Sequence, residues 1–168
     1  TYSDATTHGD EHWTLAGILE QSSNVGMIIA AEKMSNEQRY EFISKFGIGQ
    51  DDGLGLPGEA DGLLYSADQW DLRTQNTVLF GQAYTTNALQ LTNAVAVIAN
   101  KRVKKPQRII KAISDAEGHS EEQKPEGEAT RVIDEQVASQ VMNAMESVSD
   151  HYSQFVKVDG YRVAAKSG

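Results

Sequence analysis

The sequence predicts a helix-rich chain with a few short strands. Three observations carry that expectation. Apolar residues recur at helical spacing in several separate windows, capping residues stand at the start of those windows, and one glycine-rich stretch fits neither helix nor strand.

The elements follow in chain order. The opening is polar and holds His8 and His12, four residues apart. Leu15, Ile18 and Leu19 fall on one helical face, with Thr14 placed to cap that helix. After the polar break Ser22-Ser23-Asn24, Val25, Met27, Ile28 and Ala31 read as a second, largely buried helix. Ser35 with Gln38 three residues later is a capping box for a third helix, on which Phe42 and Phe46 share a face, as do Tyr40 and Ile43; Gly47 stops it. Residues 47–62 carry six glycines and Pro57 and must be loop.

Residues 75–80 read as a short strand or extended segment, and residues 87–99 as a helix with Leu91, Val95 and Ile98 on one side. Residues 106–113 read as a strand carrying Ile109, Ile110 and Ile113. A flexible acidic insertion is expected at about 114–128. Asp134 is a candidate cap for a final long helix bearing Val137, Val141, Met145 and Val148. Residues 155–158 and 161–165 flank Asp159-Gly160, a dipeptide favoured in tight hairpins.

Composition narrows the function. A chain of 168 residues suffices for one domain with a hydrophobic core, and 39% hydrophobic with 23% charged residues argues against disorder of the whole chain. The net charge of −9 disfavours nucleic-acid binding, which needs a basic surface to displace counterions. Without cysteine there is no disulfide, thiolate metal site or cysteine nucleophile. No apolar run approaches the roughly 20 residues of a membrane span, no signal peptide opens the chain, and Thr1 in place of Met suggests an upstream segment.

Several motifs have plain structural readings. Gly53, Gly55 and Gly58 match the G-x-G-x-x-G spacing, but a dinucleotide site needs that pattern between a strand and a helix, so a glycine-rich turn is the better reading. His8 and His12 lack a third metal ligand. The basic run Lys101, Arg102, Lys104, Lys105, Arg108 and Lys111 reads as a solvated face. Taken singly, Ser22-Ser23-Asn24 is an ordinary helix break, and Lys166-Ser167-Gly168 an ordinary polar end.

In order along the chain, the same segments acquire a different meaning. Residues 15–27, containing Ser22-Ser23-Asn24; Phe46-Gly47-Ile48-Gly49-Gln50 with Gly55-Leu56-Pro57-Gly58-Glu59; Phe80-Gly81-Gln82 with Leu89-Gln90-Leu91; and the run from Gly160 into Lys166-Ser167-Gly168 together resemble the class B penicillin-binding proteins, in particular the septal transpeptidases. Ala83 in place of a glycine, Asn87-Ala88 in place of a proline-containing helix start, and Ser167 in place of threonine depart from the family pattern.

The resemblance implies an α/β penicillin-binding transpeptidase (β-lactamase-like) fold, of which this chain is mostly the helical part with a few short strands. It implies a partial transpeptidase domain running from the family's second motif to its third. The first motif, Ser-x-x-Lys, is absent: no lysine here has a serine three positions before it. The resemblance sets that motif upstream of Thr1 and further sheet strands downstream, so the chain by itself is expected to be inactive.

The implied activity is a serine-type peptidoglycan D,D-transpeptidase. Ser22, Asn24 and Lys166 would be catalytic, and Ser167 and Gly168 would bind substrate. The implied partners are stem peptides ending in D-Ala-D-Ala, β-lactam antibiotics and other cell-division proteins, with no cofactor, no metal and no nucleic acid. The implied location is the extracytoplasmic face of the bacterial cytoplasmic membrane, with an N-terminal anchor. Two alternatives are weaker. A class A β-lactamase would need a Glu base in an Ω-loop, and no Glu-x-x-Leu-Asn lies between Asn24 and Lys166. A non-catalytic sensor of the same fold would not need Ser22, Asn24, Lys166 and Ser167 all intact.

Overall fold

The computed structural model of the chain describes residues 1–55 and 57–167. Its first three helices form for local reasons visible in the sequence. The Thr14 hydroxyl accepts from Gly17 N at 3.2 Å and starts α1 (Leu15–Glu20). The Ser23 hydroxyl accepts from Gly26 N at 2.8 Å and starts α2 (Asn24–Ala30). The capping box closes in both directions at α3 (Asn36–Lys45), with Gln38 N on Ser35 Oγ at 3.3 Å and Ser35 N on Gln38 Oε1 at 2.8 Å. Phe42 and Phe46 lie 5.3 Å apart on its face, and Gly47, at φ +94°, ends it.

One expectation for this region fails. No residue of α2 is buried, and Ile29 is exposed. Its apolar residues spread around the helix rather than along one stripe, so packing on one side leaves others in solvent. That packing is close. A Cβ on Gly26 would stand 2.9 Å from both Ile18 Cγ1 and Cγ2 of α1.

Residues 75–80 are helical, not extended. The Asp71 carboxylate accepts from Thr74 N at 2.6 Å and from Arg73 N at 3.1 Å. That local turn starts α4 (Thr74–Thr77), which runs into a 3-10 turn over Val78–Phe80. α5 (Ala88–Ala99) forms as expected, but its buried residues are Gln90, Asn93 and Val97, while Leu91 and Val95 are exposed.

The cause is the glycine-rich loop. Its turns leave carbonyls that no strand or helix satisfies, so an amide is buried against them. Gln90 is 1% exposed; its Nε2 donates to Gln50 O at 2.6 Å and Asp61 O at 2.7 Å, and its Oε1 accepts from the Thr86 hydroxyl at 2.9 Å. Asn87 extends the link, donating to Asp52 Oδ2 at 2.6 Å and to Ala60 O at 2.9 Å. Gly62 has φ +71° and packs so closely that any Cβ would overlap the Thr85 carbonyl.

Residues 106–113 are not one strand. Pro106 has no N–H for a ladder. The short strands pair as β1 (Val103–Lys104) with β4 (Thr130–Arg131) and β2 (Ala112–Ser114) with β3 (Ser120–Glu122), both antiparallel, and Ile109, Ile110 and Ile113 are exposed. The acidic stretch over 114–128 therefore contains β3. α6 (Glu135–His151) is the longest helix described. Asp134 stands at its cap position without a cap bond; its carboxylate lies 3.9 Å from Arg131 instead.

The hairpin expected around Asp159-Gly160 reduces to its turn. Tyr161 N donates to Val158 O at 3.1 Å, but residues 153–156 coil as α7 (Ser153–Val156). Residues 161–165 find their backbone partner on α6, through Ala165 N to Met145 O at 3.1 Å. The core gathers on α6, where Ala138, Met145 and Val148 are buried with Val97 of α5; both α1 and α5 pack on this helix.

Candidate active site

α6 brings the two ends of the chain together. α1 packs on it and delivers Ser22, while Ala165, bonded to it, delivers Lys166. Lys166 Nζ donates to Ser22 Oγ at 2.7 Å, to Ser167 O at 2.7 Å and to Ser167 Oγ at 3.1 Å. An ammonium has three donors, so all three are engaged. Desolvation holds the Lys166 ammonium below the usual lysine range.

Ser22 is held in an unusual backbone. Ser22 N donates to Leu19 O at 3.2 Å and Ser23 N to Ile18 O at 3.1 Å, the bond pattern of a Schellman stop to α1. The left-handed position of that motif usually belongs to glycine, and here it is Ser22, at φ +55°. Such a conformation costs a side-chain-bearing residue about 1 kcal/mol or more, and it concentrates at functional sites.

Asn24 is the first residue of α2, with its Nδ2 3.4 Å from Ser3 O. Among the described residues no hydrogen bond joins it to Lys166. The structure thus joins Ser22, Lys166 and Ser167 directly and leaves Asn24 one turn of chain away. Gly168 lies outside the described residues.

Asp4, His8 and Ser23 were not singled out from the sequence as site residues. The N-terminal segment is tied down by Tyr2, whose hydroxyl is 3.4 Å from both Leu72 O and Arg73 O. Asp4 then reaches the second motif. Its Oδ2 accepts from Ser23 Oγ at 2.7 Å and from His8 Nε2 at 2.9 Å, and its Oδ1 from Val25 N at 3.0 Å. Burial pushes the Asp4 carboxyl up, but the hydrogen bonds from Ser23, Val25, His8 and the Asn24 backbone together hold it below its ordinary value. The His8 imidazole is pushed up, first by the Gly9 carbonyl and then by Asp4. No sequence periodicity marks a contact across 19 residues such as Asp4 to Ser23.

These opposite shifts define a pH window. A depressed carboxylate stabilises the fold above its ordinary value of 3.8, and that contribution disappears as pH falls through the depressed value. A raised imidazole contributes below its ordinary 6.5, and that contribution disappears as pH rises through the raised value. The segment is therefore held best between the two. The protection of the Val25 amide, taken relative to its intrinsic exchange rate at each pH, is expected to be greatest in that window, and Asp4→Asn should abolish the acid limb.

Residues 1–168 match the penicillin binding protein transpeptidase domain, and the chain belongs to that family. Penicillin-binding protein PbpB of Mycolicibacterium smegmatis is 36% identical over 100% of this chain and 27% of its own length. Peptidoglycan D,D-transpeptidase FtsI of Escherichia coli is 32% identical over 92% of this chain and 25% of its own. The chain thus spans about a quarter of the curated relatives it matches.

Among solved structures, a peptidoglycan synthetase from Bifidobacterium adolescentis matches with a TM-score of 0.96 and 73% identity, over 99% of this chain and 31% of that one. Penicillin-binding protein 3 from Mycobacterium tuberculosis, complexed with aztreonam, matches with a TM-score of 0.82 and 34% identity, over 96% of this chain and 35% of that one. The fold is that of the penicillin-binding transpeptidases, and this chain carries mostly helices with few short strands.

Proposed function

We propose that the chain supplies the proton-relay and carboxylate-binding part of a serine-type D-Ala-D-Ala transpeptidase, which cross-links peptidoglycan stem peptides and is acylated by β-lactams. The observation that carries this reading is the 2.7 Å bond from Lys166 Nζ to Ser22 Oγ across 144 residues of sequence. The attacking serine is not among these residues, because the chain contains no Ser-x-x-Lys. It belongs to the complete protein.

In the proposed reaction that serine attacks the penultimate D-Ala carbonyl carbon. The C–N bond to the last D-Ala breaks and an ester to the serine forms; the serine hydroxyl gives up one proton and the departing amine takes up one, so no net proton is gained or lost. Ser22 is the relay. Lys166 donates to its oxygen, which leaves the hydroxyl hydrogen to point at the departing nitrogen. A lysine acidified by desolvation resupplies that proton more readily. Asn24 offers its amide to the substrate backbone. Lys166 and the Ser167 hydroxyl take the terminal carboxylate, exchanging their contact with each other for it. An acceptor amine then attacks the ester carbonyl carbon; a new amide C–N bond forms, the C–O bond to the serine breaks, and one proton of the amine passes to the serine oxygen.

The reading extends to a protein anchored at the extracytoplasmic face of the bacterial cytoplasmic membrane and working beside other division proteins. Its support is that named relatives are peptidoglycan D,D-transpeptidases. The complete protein, treated with penicillin, is expected to gain one covalent penicilloyl group by intact mass; a folded complete protein that gains none overturns the reading. An adduct on the isolated 168-residue chain would overturn the assignment of the nucleophile to another segment.

A further inference from the structure

The geometry points to Asp4 as a positioning residue for this site: its carboxylate, held by His8, fixes through Ser23 and Val25 the turn that presents Ser22 to Lys166. The inference rests on the transpeptidase reading above. Asp4 touches none of the reacting groups, so it acts only through the turn.

The Asp4 side chain is 8% exposed, and no lysine or arginine pairs with it among the described residues. A carboxylate buried in that way is retained only when donors replace water. Here the donors are the Ser23 hydroxyl, the Val25 N–H and the His8 imidazole. Two of the three, on Ser23 and Val25, lie within three residues after Ser22. The left-handed Ser22 backbone persists only where its surroundings over-determine it. The end of α1 fixes it from one side, through Ser22 N and Ser23 N. Asp4 fixes it from the other.

His8 makes the clamp specific. Its Nε2 faces Asp4 Oδ2 at 2.9 Å and its Nδ1 faces Gly9 O at 2.8 Å. Both partners are acceptors, and only the imidazolium donates from both nitrogens. The charged groups acting on His8 are Asp4 and Glu11, and its ring packs against Trp13 at 5.0 Å between centroids. An imidazolium therefore balances the Asp4 charge and holds the carboxylate in the orientation that Ser23 and Val25 require.

The test uses the complete protein and separates binding of penicillin from the acylation step. Asp4→Asn keeps the shape but loses the charge and one acceptor. The first-order acylation constant, counted per folded molecule, is expected to fall about tenfold or more, because small misplacements of a catalytic group carry penalties of that size. The dissociation constant of the initial penicillin complex should stay unchanged. An anchor with no positioning role would lower the melting temperature and leave the acylation constant alone, so an acylation constant within about twofold of the parent overturns the inference. Should Asp4→Asn fail to fold, His8→Ala removes the imidazole that orients the Asp4 carboxylate, leaves the Ser23 cap of α2 in place, and is read by the same criterion. A parent protein that penicillin does not acylate overturns the transpeptidase reading itself. A parent that is acylated beside an unimpaired variant overturns only the role of Asp4.

Discussion

In the complete protein, Lys166→Ala is expected to slow penicillin acylation by about one to two decades. The substitution removes a charge-assisted hydrogen bond to Ser22 Oγ and the positive end of the carboxylate site. A bond of that kind contributes roughly 1.5–3 kcal/mol, and each 1.4 kcal/mol is about tenfold in rate. Stability should change little, because the Lys166 side chain is exposed rather than core. Lys166→Arg is not expected to restore the rate. A planar guanidinium cannot reproduce three donors converging from one nitrogen onto Ser22 Oγ, Ser167 O and Ser167 Oγ. Stopped-flow acylation with a reporter penicillin measures both variants. An unmodified rate in Lys166→Ala would remove the lysine from the mechanism.

The largest loss of stability is expected at Gln90. Gln90→Leu keeps the bulk but removes the donor shared by the Gln50 and Asp61 carbonyls in the part-buried contact between α5 and the glycine-rich loop, while the exposed Thr86 hydroxyl turns to water. A buried polar group left without a partner costs about 1–3 kcal/mol, so the two part-buried carbonyls together imply about 2–4 kcal/mol. Denaturant unfolding of the complete protein measures that difference. Limited proteolysis within residues 50–61 should accelerate in parallel, since the loop loses its fastening to α5. A loss under about 1 kcal/mol would mean that water reaches both carbonyls.

The sequence was most legible where structure is decided locally. Thr14, Ser35 with Gln38, and Gly47 each act on backbone groups within a few residues, and each performs its expected role. It misled where a distant segment decides. The outward-facing Leu91 and Val95 and the inward-facing Gln90 reverse the usual burial order, because carbonyls 29 and 40 residues earlier need donors. The strand propensity of Ile109 and Ile110 found no ladder to join after Pro106. Ser22 and Lys166 were reached through family resemblance, and the hydrogen bond between them supplies the geometry that resemblance alone lacks. Asp4 had no such guide. It is one acidic residue in a polar opening, and its meaning appears only once Tyr2 and the 72–73 carbonyls fold that opening back.

The bond that completes the constellation spans nearly the whole chain, from Ser22 to Lys166. Contacts of such long range form late, since the entropy of closing the intervening span is lost before the contact returns anything. A half-folded molecule therefore holds the Ser22 hydroxyl and the Lys166 ammonium apart until residues 161–165 have docked on α6.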